Sequence, residues 1–101
     1  MALFVMLTKL TDHGRQTVMK NPGRIWEVNK EVASMGAKVL NQYVTMGPYD
    51  FVNIIEAPSN EVMARVALSL GSRGTMEPMT LSAISVDNFI KEINMANAIK
   101  P

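Results

Sequence analysis

An α+β fold with a four-stranded antiparallel sheet and its helices on one face is predicted by three observations. Apolar-rich stretches of strand length recur at residues 3–10, 37–46, 51–56 and 75–84. The first two, and again the last two, are separated by segments whose apolar residues recur every three or four positions. The second and third are joined by the short reversal Gly47-Pro48-Tyr49-Asp50, in which proline suits the first central turn position.

Each element follows from local chemistry. Residues 2–7, Ala-Leu-Phe-Val-Met-Leu, lack a basic preceding region and are too short to span a bilayer, so they read as a buried strand and not a signal peptide. Thr11 or Asp12 can cap the helix that follows, and Asn21-Pro22 breaks it because proline disfavours helical geometry in the residue before it. A second helical segment over 23–35 carries Ile25, Val28, Val32 and Met35 on one stripe, and Gly36 is placed to end it in the left-handed conformation. Residues 37–46 and 51–56 form the hairpin. Ser59 or Asn60 caps a helix over 61–70 that buries Val62, Val66, Ala67 and Leu70, and Gly71-Ser72-Arg73-Gly74 ends it, with Gly71 in the cap. The strand at 75–84 contains Pro78 and is therefore expected at a sheet edge, where a missing N–H is tolerated. A terminal helix over 85–98 is expected to turn Phe89, Ile90 and Ile93 inward. The order β-α-β-β-α-β plus a helix is the ferredoxin-like split βαβ arrangement, and 101 residues suit one such domain over 1–101.

Composition narrows the function classes. The chain is 48% hydrophobic with a formal net charge of +1, so it lacks the basic footprint of a nucleic-acid binder or a membrane-surface protein. Without cysteine it has no disulfide framework, thiolate nucleophile or cysteine-held metal, which fits a cytoplasmic protein. An RNA-recognition module of this topology stacks bases on aromatic residues of its central strands. Here Phe4 and Phe51 stand there without surrounding basic residues.

The two strands expected in the middle of the sheet are apolar on both sides. The first carries Leu3, Val5 and Leu7 on one side and Phe4 and Met6 on the other; the third carries Val52 and Ile54 against Phe51 and Ile55. Two helices cover one face, so the second face needs cover as well. A second copy, giving a homodimer or higher oligomer of the dimeric α/β-barrel type, is one solution. The terminal helix folded back over the same face is the other.

Candidate site residues each have a structural reading beside the functional one. Asn53, mid-strand between apolar neighbours, points either into a ligand cavity or to ordinary hydrogen-bond partners. Asn41 and Tyr43 share a face of the second strand and are expected either to line the same cavity or to sit on a half-exposed edge. His13, the only histidine, is the candidate base or axial metal ligand, but no second ligand stands at metal-binding spacing. Arg73 sits in a glycine-bracketed loop that follows a helix, whereas phosphate loops precede one, so its structural reading is a cation at a helix C-terminus. Met76 and Met79, three apart on a strand, face opposite sides and do not make a soft-metal pair; the nine methionines read as packing residues. Tyr49 and Asp50 exceed what a turn requires and are candidates for a cavity rim or subunit contact.

The segment Gly47-Pro48-Tyr49-Asp50-Phe51-Val52 resembles the signature of the GYD domain family. The likeness extends through Met6-Leu7-Thr8-Lys9-Leu10, Glu27-Val28-Asn29-Lys30 and Gly71-Ser72-Arg73-Gly74-Thr75, from the first strand to the fourth. The resemblance implies a small bacterial or archaeal protein of the ferredoxin-like, dimeric α/β-barrel type, and it carries over no catalytic residue. Two functions follow as expectations. One is a homo-oligomeric, non-catalytic module that binds a small ligand or serves assembly, with His13, Tyr43, Tyr49, Asp50, Asn53 and Arg73 as ligand-binding candidates. The other is a cofactor-free or haem-dependent monooxygenase-like enzyme with His13 as base or haem ligand. The cofactor is not identified by the residues, and no protein-held metal is expected.

Overall fold

The computed structural model describes residues 1–99. Strand β1 (Ala2–Leu10) leads into helices α1 (Asp12–Lys20) and α2 (Arg24–Ser34), then the hairpin β2 (Lys38–Val44) and β3 (Phe51–Ala57), helix α3 (Asn60–Gly71), strand β4 (Met76–Ala83) and helix α4 (Val86–Ile99). The sheet order is β2-β3-β1-β4, antiparallel throughout, with β1 and β3 central and β4, carrying Pro78, at an edge as expected.

Caps fall where side-chain chemistry places them. Thr11 Oγ1 accepts from the Gly14 amide at 3.1 Å and Ser59 Oγ from the Val62 amide at 3.2 Å, each closing a free donor in a first helical turn. Gly36 takes φ 96° after α2 as predicted. At the end of α3 the expectation is corrected: Gly71 is still helical, Ser72 is the cap, and the left-handed residue is Gly74. Gly71 instead lies under Pro78, whose Cδ would be 3.3 Å from a Cβ placed there.

The core lies between α2, α3 and one face of the sheet. Phe4, Met6, Val32, Ala37, Ile55, Ala57, Met63, Val66 and Leu70 make it up, with Ile55 fully buried. Met63 takes an inward place on α3, while Val62 and Ala67, expected inward, are only half-buried at the flanks. The first helix is pinned by a close approach. A Cβ on Gly14 would lie 1.9 Å from the Thr75 carbonyl oxygen, so no other residue fits.

The largest departure is α4. Phe89, Ile90 and Ile93 are 51%, 49% and 44% exposed, and no residue of this helix is buried. It neither turns an apolar stripe inward nor folds over the second face of its own sheet. The periodicity predicted a helix correctly, but it cannot say whose surface the stripe meets. Consequently the molecule extends over 61 × 29 × 19 Å, with a radius of gyration of 16.3 Å against about 13 Å for a compact chain of this length.

Candidate functional site

The two faces of the sheet present two different surfaces. On the helix side, between the sheet and α1 and α2, lies a cavity of about 140 Å³. Met6, Phe51 and Ile55 from the sheet and Val28, Val32 and Leu70 from the helices make its lining mostly apolar. Asn53 is 2% exposed and lines this cavity. Its Nδ2 donates to the Met6 carbonyl at 2.8 Å and to Thr8 Oγ1 at 3.0 Å, and its Oδ1 accepts from Gln42 Nε2 at 2.8 Å. Gln42 Oε1 in turn accepts from Asn29 Nδ2 at 2.8 Å, so three amides run in a relay from the core to α2. Both readings of Asn53 therefore hold together: it faces a cavity, and its own hydrogen bonds are satisfied within the protein.

An ionic cluster stands at the rim. Arg24 Nη1 donates to Glu27 Oε2 and to Glu31 Oε1, each at 3.0 Å, and Arg73 Nη1 donates to Glu31 Oε2. Arg24 and Arg73 line the cavity while Glu31 ties them together. The hydrogen bond from Arg73 is the main reason that the Glu31 carboxyl is held below its ordinary value; burial opposes it and Arg24 adds to it. The guanidinium of Arg24 is raised, chiefly by its hydrogen bond to Glu27 and then by Glu31. Arg73 is thus a partner of α2 across the domain, more than a cation for its own helix end.

The turn has a structural explanation. Gly47 takes φ 107°, the Thr45 amide donates to the Asp50 carbonyl at 2.8 Å, and Thr45 Oγ1 donates to the Tyr49 carbonyl at 2.8 Å. The Asp50 side chain reaches across the sheet, where Oδ2 accepts from the Leu10 amide at 2.7 Å. Asp50 thereby satisfies the last backbone donor of β1, with Arg15 Nη2 at 4.0 Å as a distant counter-charge. Tyr49 Oη donates to Met79 Sδ at 3.3 Å and spans from the turn to the far edge of the sheet.

The opposite face is open. Register places Tyr43, Val52, Leu7 and Met79 in one row and Asn41, Ile54, Val5 and Leu81 in the next. Its central residues are only half-buried; Met79 and Leu81 are each 48% exposed and Tyr43 is 57% exposed. Asn41 and Tyr43 are therefore on this face and do not line the cavity of Asn53. The cause is an irregularity between Val39 and Asn41: Val39 pairs with Ile55 on the helix side, then the register slips by one and Gln42 takes the inward place.

Of the candidate residues, the cavity brings together only Asn53 and Arg73. Tyr43 and Tyr49 lie toward the open face, Asp50 pins β1, and His13 is exposed on α1 outside the cavity lining. Sequence reasoning missed Gln42, Asn29, Arg24 and Glu31. The spacing of Arg24, Glu27 and Glu31 along one helix face was a readable signal for the ion pairs. Gln42 gave none, because its inward turn depends on the slipped register. Among the described residues, no group of three or more His, Cys, Asp or Glu is placed to hold a metal ion, and no helix is long and apolar enough to cross a membrane.

Comparison with known proteins agrees with this architecture. A Thermus thermophilus protein named glutamine synthetase and cystathionine beta-lyase binding protein is 47% identical over 94 residues, covering 92% of this chain and 99% of that protein. Among solved structures, TTHA0845 from Thermus thermophilus matches with a TM-score of 0.54 at 20% identity, over 85% of this chain and 96% of its own. The hypothetical protein PHS023 from Pyrococcus horikoshii matches with a TM-score of 0.53 at 18% identity, over 84% and 92% of the two chains. At such identities these two structures speak for the fold alone. The GYD domain matches residues 4–93, the span that holds the sheet, the Tyr49-Asp50 turn and the helix-side cavity, and the chain belongs to the GYD domain family.

Proposed function

We propose that this chain is a non-catalytic binding and assembly module of the cytoplasm. Copies pair through the open sheet face and α4, and the assembly docks a partner enzyme of the kind for which its Thermus relative is named, a glutamine synthetase or a cystathionine beta-lyase. The observation that carries this reading is the uncovered surface of the open face and α4, where Met79, Leu81, Phe89, Ile90 and Ile93 are each about half exposed. The accessible area is 6907 Å², against roughly 5,700 Å² for a compact monomer of this mass. The excess exceeds the roughly 800 Å² that each partner contributes to a standard protein interface.

A small-ligand reading is favoured by a separate observation, the helix-side cavity with its two arginines. The monooxygenase alternative finds less support there. Among the described residues the cavity lining contains no His, Asp or Glu to move a proton, and His13 stands outside it.

Sedimentation velocity of the chain with purified glutamine synthetase, and separately with cystathionine beta-lyase, tests the docking reading. Co-sedimentation of an oligomeric chain with at least one enzyme is expected, and its loss in a Leu81→Lys variant. Failure of both enzymes to shift the boundary, or equal binding by the single-subunit form, overturns it.

A further inference from the structure

We infer that the helix-side cavity is a binding site for a small monocarboxylate whose body is compact and apolar, aromatic or branched. The inference deepens the small-ligand reading and is independent of docking on the opposite face.

Size sets the body of the ligand. The cavity measures about 140 Å³, close to the engineered apolar cavity of about 150 Å³ that holds one benzene. Chemistry of the walls makes that body apolar. The buried polar groups are already engaged: both Asn53 Nδ2 bonds go to Met6 and Thr8, and Asn53 Oδ1 and Gln42 Oε1 are each occupied within the relay. A ligand with a polar body would lose its bonds to water and find little in return.

The rim sets the head group. Arg24 and Arg73 make their side-chain hydrogen bonds through Nη1. The Nη2 and Nε donors of both guanidiniums have no protein partner among the described residues. Guanidinium forks with free donors match a carboxylate in geometry. Arg24 and Arg73 are balanced by Glu31 and by Glu27, whose charge is partly screened at 56% exposure, so the cluster carries no net charge. A neutral cluster with free guanidinium donors takes a singly charged carboxylate with less repulsion from Glu27 and Glu31 than a phosphate dianion.

The rim is also held in place before any ligand arrives. The loop carrying Arg73 is tied to the start of α1, because Thr11 Oγ1 donates to the Gly74 carbonyl at 2.7 Å and the Thr11 amide to the Thr75 carbonyl at 3.1 Å. Such pre-ordering lowers the cost of binding.

Benzoate titrated into the full-length, isotope-labelled chain is the test, read by calorimetry and by the side-chain amide NMR signals of Asn29, Gln42 and Asn53. Saturable shifts of those signals are expected, with a dissociation constant of about 1 mM or lower for so small a ligand. Benzamide and phenyl phosphate should bind about tenfold more weakly, as should benzoate to Arg73→Gln. Arg73→Lys, which keeps the charge and the tie to Glu31, separates loss of the fork from loss of folding and should also bind more weakly. No saturable shift, shifts confined to open-face residues, or equal affinity for benzamide overturns the inference. Subunit mass measured on the same samples keeps the two proposals apart. An oligomer that ignores benzoate defeats the cavity site alone, and a single subunit that binds it defeats the pairing alone.

Discussion

Ile54 and Ile55 are neighbours on β3 with the same side chain, yet Ile55 is fully buried beneath the helices and Ile54 is half-buried on the open face. The contrast extends across the sheet. Phe4 and Met6 meet Val32, Met63 and Leu70 in the core, whereas Leu3, Val5 and Leu7 are only half-buried on the face away from that core. A strand buried on one side only normally alternates apolar with polar residues. These strands are apolar on both sides, so one chain completes only half of the packing that its central strands are built for. On the proposed reading, folding stability resides on the helix side and association on the other.

The strongest way to break the comparison is at Gly14, where the helix side tolerates no side chain. Gly14→Ala should cost about 3 kcal/mol or more in urea unfolding, because the new Cβ collides with backbone and not with a movable side-chain end. A near-neutral effect would mean that α1 is not held against the Thr75 backbone.

Next comes the isoleucine pair. Ile55→Ala should cost about 3 kcal/mol at every protein concentration, as for a core cavity. Ile54→Ala should cost under about 1 kcal/mol in the isolated subunit, with its main effect on the concentration dependence of the oligomer. Equal costs in the isolated subunit would erase the distinction between the faces. Asn53→Leu follows at about 2 kcal/mol, because the Met6 carbonyl and Thr8 Oγ1 lose the Asn53 donor and Gln42 Nε2 keeps only its longer bond to Asn29 Oδ1 at 3.3 Å. Gln42→Leu in the same background should cost less than it does alone, since the two side chains share one relay.

The smallest effect is at the rim. Glu31 is held below its ordinary value of 4.5 chiefly by the hydrogen bond from Arg73. A carboxyl with a depressed folded value contributes its full stability above the ordinary value, and loses it as pH falls through the folded one. Glu31→Gln should therefore flatten the acid side of the stability curve below about pH 4.5 and leave its slope near neutrality unchanged. Urea midpoints measured across that range decide it. An unchanged acid limb would remove Glu31 from the ionic cluster in solution.

What was legible in the sequence depended on the range of the interaction. The alternation of Phe51, Asn53 and Ile55 is intrinsic to a strand, so the inward placement of Asn53 could be read directly. Of the two readings of Tyr43, the half-exposed edge agrees with the structure and the cavity lining does not, because one irregular pairing after Val39 turns every later side chain of β2 to the other face, and nothing local announces it. The Asp50 bond to the Leu10 amide joins residues 40 apart in sequence, so only the family likeness of the turn hinted at it. Helix α4 shows the remaining limit. Its apolar stripe at Val86, Phe89, Ile90 and Ile93 states that a face needs cover, but spacing within one chain does not name the covering surface.

The mass of the full-length chain in solution, followed by light scattering from micromolar concentration downward, tests the division between the two faces most directly. A particle of at least twice the 11.1 kDa chain is expected, which Leu81→Lys or Phe89→Ser reduces to one subunit while the fold is retained. A wild-type mass of one subunit at every concentration would contradict it.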